Sequence, residues 1–183
     1  MRPQDIVILL EIIATFYKSN IGWPDSSLMM IPQHPTNKAI ALSLKISEAE
    51  VSESLRRSAY AGLLDDPKYK RINKKALLDF LLCGLKYVFP VQPGALSRGV
   101  PTAHSAPPLE DVIMSDEKYV WKFAEGKVRG QLIEPLYPTV PEVVANDSEL
   151  YKLLTLTDAI RIGSARVVRL ASEELEKRIM SAW

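Results

Sequence analysis

The sequence predicts an α+β fold, mainly helical, on three observations. Apolar residues recur at helical spacing in several long segments, one stretch near residue 120 alternates as strands do, and prolines divide the chain at 90–108. The 183 residues, 47% hydrophobic and 25% charged, are ordinary for a globular chain and exclude disorder, collagen and a disulfide scaffold. The 23 Lys and Arg nearly cancel the 22 Asp and Glu, so total charge gives no reason to expect a nucleic-acid partner.

Five of the thirteen prolines fall between Pro90 and Pro108. Proline lacks an amide donor and pushes the residue before it out of helix, so the expected units are 1–89, a connector 90–108, and 109–183. Residues 4–18 are apolar on nearly every face, and such a helix must be covered on more than one side. Asp5 and Glu11 interrupt it and no small-residue cleavage site follows, so it reads as a buried helix rather than a signal peptide, and no segment is long enough to span a bilayer. The lone Cys83, among leucines, is expected to be a buried thiol in a reducing compartment, which makes the cytoplasm the default location. Residues 21–35, with Gly22, Pro24, Pro32 and Pro35, read as a loop.

The most informative stretch runs from Thr36 to Leu64. Ile40, Ala41 and Leu44 share one face of a short helix, Lys45 and Ile46 form a turn, and Ser47 opens a second helix. Ser47 with Glu50 has the spacing of a capping box, Val51 and Leu55 continue the apolar face, and Gly62 stands where a left-handed cap ends the helix. A small residue at Ala41 lets the helices approach, and Val51, ten positions later, fills the angle between them.

This pattern, over about residues 36–72, resembles the winged helix-turn-helix of MarR-like transcriptional regulators; Lys45 stands where such turns usually carry glycine. The resemblance implies an N-terminal winged helix-turn-helix, with residues 47–61 as the recognition helix in the major groove of double-stranded DNA. The residues it would place at DNA are Thr36, Asn37, Lys45, Ser47, Glu48, Ser52, Glu53, Arg56 and Arg57, followed at the wing by Lys68, Lys70 and Arg71. Three acids near the leading end of the helix hinder approach to phosphates and favour a protein partner instead, as in an antitoxin-like or adaptor subunit. Against that, residues 56–75 hold seven basic groups and two acidic ones, a net +5, and basic residues at a wing tip contact backbone phosphates.

Asn73 can cap a helix over 74–88 whose leucines form a broad apolar stripe, core or dimer face. A homodimer would let two recognition helices meet half-sites roughly 34 Å apart. Within 92–109, Arg98, Thr102, His104 and Ser105 are donors that could hold a small anionic effector or a partner segment, although packing of the Pro-rich stretch on the body of the protein is favoured. Residues 119–123 and 128–133 read as a small β-hairpin with Tyr119, Trp121 and Phe123 on one face, which packs against a helix in preference to stacking bases. Helices over 148–162 and 164–179, capped at Asp147 or Ser148, close the chain. Two histidines seventy residues apart give no metal spacing, and no phosphate loop or nucleophile motif appears. The expectation is a protein without enzymatic activity, catalytic residues, metal or cofactor.

Overall fold

The computed structural model describes residues 1–21 and 34–182; residues 22–33 of the expected loop lie outside the described residues. The architecture is α+β and mainly helical. The N-terminal elements are α1 (Pro3–Ile21), α2 (Asn37–Leu44), α3 (Glu48–Tyr60), β1 (Leu64–Asp66), β2 (Arg71–Ile72) and α4 (74–88). The rest are β3 (Leu96–Pro101), β4 (Tyr119–Lys122), β5 (Val128–Leu132), α5 (Val140–Val143), α6 (Ser148–Ile162) and α7 (Ala165–Met180).

Helix α1 begins with proline in its first turn, where the missing amide costs no hydrogen bond. From Ile6 to Ala14 its apolar side chains are at most 2% exposed. The chain covers this helix itself, with α2 and α3 on one part of its surface and α6 on another. Burying each such Ile or Leu contributes about 1.5–3 kcal/mol, so α1 is the central post of the molecule. One continuous apolar cluster runs from Ile6 through Leu55, Leu81, Trp121 and Leu156 to Ala182.

Local caps set most helix boundaries. Thr36, Ser47 and Asn73 accept from the amides of Ala39, Glu50 and Ala76, each at 3.1 Å, and Asp147 accepts from Glu149 and Leu150. Gly62, at φ +73°, follows the end of α3 in the left-handed region that glycine enters without penalty.

Helix α4 contains a π-helical turn at Phe80–Gly84, flanked by α-helical Lys74–Asp79 and Leu85–Val88. A π turn holds an extra residue and rotates the succeeding residues around the axis. Leu77, Leu81 and Leu85, four residues apart, are buried together with Leu78, while Cys83 lies on the other side and is exposed, contrary to the expectation of a buried thiol. The compartment argument built on that thiol loses its premise. No helix among the described residues is long and apolar enough to cross a membrane.

The sheet corrects the expected hairpin at 119–133. Strand β3, contributed by the Pro-rich stretch, runs antiparallel to both β4 (Val100 opposite Trp121) and β5 (Ser97 opposite Gly130). Both neighbours oppose the same strand, so β4 and β5 run parallel to one another, Tyr119 opposite Gln131, and three strands close into a barrel. Its walls nearly touch: a Cβ on Gly99 would lie 1.8 Å from the Trp121 carbonyl oxygen, and one on Gly126 2.3 Å from Gly99. Trp121 is 1% exposed, so it packs in the core and is not a base-stacking surface.

Candidate nucleic-acid interface

Helices α2 and α3 pack against each other and on α1 through Ile40, Ala41, Leu44, Val51 and Leu55, all buried. The turn between them closes on Lys45 in the left-handed conformation, φ 55° and ψ 45°, with the Ile46 amide returning to the Ala41 carbonyl at 3.0 Å. This is the position where glycine was expected, and two interactions hold the lysine in place. Its ammonium pairs with Glu142 of α5, and the Thr139 hydroxyl donates to the Leu44 carbonyl at 2.8 Å.

The inward face of α3 carries Val51, Ser54, Leu55 and Ser58, which leaves Glu48, Ser52, Glu53, Arg56 and Tyr60 exposed. Tyr60 is 97% exposed, an aromatic that sequence reasoning missed. Arg56 pairs with Glu53 one turn earlier. The Ser47 hydroxyl caps the helix, and the Glu50 carboxylate accepts from Gln4 Nε2 on α1 at 3.3 Å instead of closing a capping box. Thr36 and Asn37 lie at the start of α2, Thr36 exposed and acting as its cap.

Arg57 departs from the expected role. Its guanidinium turns inward and donates from Nε (3.0 Å) and Nη2 (2.6 Å) to Asp5, which is fully buried in α1. Burial opposes ionisation of Asp5, but the hydrogen bonds from Arg57 and the Arg2 amide outweigh it and hold the carboxyl below its usual range. Arg57 is therefore a structural partner of Asp5 and is not available to a phosphate.

Strands β1 and β2 form a short antiparallel ladder with an irregularity at Asp65. At its tip the Asp66 carboxylate accepts from the amides of Lys68 (2.8 Å) and Tyr69 (3.2 Å), which fixes the loop. Lys68 is exposed, 5.1 Å above the Tyr69 ring, and Arg71 is exposed, 3.8 Å from Asp65. Lys70 is different: it adopts φ +50° and is buried, and burial lowers the pKa of its ammonium. Of the expected wing cations, Lys68 and Arg71 face solvent and Lys70 does not.

The four donors expected to hold an effector are not brought together. Arg98 is exposed on β3, whereas Thr102, His104 and Ser105 are buried and engaged. Thr102 donates to Asp158 at 2.9 Å, His104 Nε2 bonds the Glu117 carbonyl at 3.0 Å, and Ser105 accepts from the Tyr119 amide at 2.9 Å. They are mortar between the barrel and α6.

The centre of that mortar, Asp158, was not singled out in the sequence. It accepts from Trp121 Nε1 (2.6 Å), Thr102 and Arg161 (2.7 Å), and Arg161 also donates to the carbonyls of Phe89 and Glu134. Its only sequence signal was an acid and a base three apart on a predicted helix. Among the described residues no group of His, Cys, Asp or Glu has the arrangement of a metal site. No family model matches the chain, and neither curated proteins nor solved structures provide a match.

Proposed function

We propose that the chain is a sequence-specific DNA-binding transcriptional regulator, a winged helix-turn-helix protein working as a cytoplasmic homodimer. The observation that supports this reading best is the pairing of two crossed helices with the ladder after them. The solvent face of α3 offers Ser52, Arg56 and Tyr60, and β1–β2 offers Lys68 and Arg71. In this reading Ser52 and Arg56 meet base edges, Lys68 and Arg71 meet backbone phosphates, and the exposed start of α2 at Thr36 adds an amide-rich phosphate contact. Tyr87 and Val88, 74% and 51% exposed at the end of α4, supply apolar surface for a dimer.

An electrophoretic shift series at several salt concentrations tests the reading. Replacing Arg56, Lys68 and Arg71 together by Ala is expected to lower the slope of log affinity against log salt by about 0.9 for each phosphate no longer neutralised. Absence of binding to any duplex at low salt refutes it.

A specific feature favours a second reading, a protein-interaction subunit: Glu48 and Glu53 lie on the same exposed face, and Glu53 neutralises Arg56. Retained binding to a protein partner by a chain that binds no duplex is its signature.

A further inference from the structure

The three-stranded barrel carries a cationic face that the expected interface does not use. Arg98 on β3 and Arg129 on β5 are directly opposed in antiparallel register, and both are exposed. Opposed residues project from the same face of a ladder, where two like charges destabilise the pair. Lys122, at the end of β4, lies opposite Gly99, beside Arg98, and the Phe123 amide donates to the Arg98 carbonyl at 3.2 Å. Lys127 precedes Val128, the partner of Gly99 on β5. Arg98 and Arg129 thus share one face, with Lys127 two residues before Arg129, whereas Lys122, opposite Gly99, belongs to the alternate face; Glu125 is the one acid in the strands and the turn joining β4 to β5.

Among the described residues none of Arg98, Lys127 and Arg129 forms an ion pair, so the charges of this face stand uncompensated. Trp121 is buried with its Nε1–H on Asp158, so the barrel presents charges rather than ring faces. Such a surface complements a regular array of phosphates and reads no bases.

We propose that this face of the barrel is a second double-stranded DNA contact, which binds backbone phosphates without regard to sequence. It shares its ligand with the reading above but none of its residues, so the two fail separately.

The test uses the full chain and a 30-base-pair duplex of arbitrary sequence, followed by fluorescence anisotropy between about 50 and 200 mM salt. Arg98→Gln with Arg129→Gln is expected to lower the salt slope by about 2 and the affinity by on the order of tenfold. A second variant, Arg98→Glu, converts the repulsive pair into an attractive one; it is expected to weaken duplex binding while raising Tm, which distinguishes a missing phosphate partner from an unfolded chain. Unchanged slope and affinity in both variants overturn the proposal. Weakened binding to phosphatidylserine vesicles with duplex binding intact also overturns it. Loss of binding on replacing Arg56, Lys68 and Arg71, with the barrel variants behaving as wild type, leaves only the α3 reading; the converse result supports the barrel and removes α3.

Discussion

Arg57 of α3 grips Asp5 of α1 with two nitrogens, and the carboxylate they share is sealed from solvent. The pair fixes the angle at which α3 leaves the central helix. Its neighbour Arg56, one position earlier, is exposed and, among the described residues, pairs with Glu53 alone. Adjacent arginines on one helix therefore have opposite assignments.

Arg57→Ala is expected to destabilise the protein by about 3–5 kcal/mol, because it strands a buried carboxylate. Arg56→Ala is expected to stay within about 0.5 kcal/mol. Urea denaturation of the two variants checks the contrast, and equal effects would contradict the assignment.

Glu11 gives the stability a pH dependence. It is 4% exposed in α1, with Oε2 unpartnered. Burial pushes its carboxyl up to about 7; Ser43 and Lys18 oppose the shift, and Asp147 adds to it. The folded state then holds a proton that the unfolded state has released, so stability falls as pH rises from about 4.5 to about 7 and is level above that. The full effect is about 3 kcal/mol. Glu11→Gln is expected to match wild type near pH 4.5 and to exceed it by about that amount above about pH 7.5, as read from denaturation midpoints across that range. Asp5 works in the other sense: its depressed pKa contributes stability above the usual carboxylate range that is lost as pH falls through it.

Two glycines should respond unequally to alanine. Gly62 has a positive φ and nothing within 4 Å of an added Cβ, so Gly62→Ala is expected to cost about 1 kcal/mol in backbone strain alone. At Gly99 the Cβ would collide with the Trp121 carbonyl, and the barrel must open. A loss of about 4 kcal/mol or more is expected, with a red shift of tryptophan fluorescence as Trp121 meets water.

Asp158→Ala leaves the Trp121 indole N–H and the Thr102 hydroxyl without their acceptor and Arg161 without its carboxylate partner. The expected cost is about 3–5 kcal/mol. Asp158→Asn, which keeps one acceptor oxygen, should recover part of it, and thermal unfolding of both variants measures the difference.

Cys83 should react with a thiol reagent in the native protein at the rate of an exposed cysteine. Modification only after denaturant is added would contradict its outward placement on α4.

The features legible in the sequence are those governed by neighbours along the chain. The caps at Ser47, Asn73 and Asp147 and the left-handed Gly62 are settled within a few residues, and each stands where its side chain dictates. The apolar surround of α1 likewise announced its burial. Partnerships across long separations were not readable. Nothing local says that Arg57 seeks Asp5 fifty-two positions away, or that Pro-flanked residues 96–101 supply the strand that makes β4 and β5 parallel. At Cys83 the flanking leucines misled: helical spacing puts it on the side of α4 away from Leu77, Leu81 and Leu85, and apolar neighbours in sequence do not bury a residue on that side.

Thr139 and Glu142 hold the carbonyl and the side chain that bracket the turn between α2 and α3. The aim of α3 is thus set from two directions, by α1 behind it and by α5 at its entrance. Without Thr139 and Glu142 the turn would lose this second bearing, and a force that shifts α5 would tilt α3 without touching its exposed face. The C-terminal half is a gunsight for the N-terminal one.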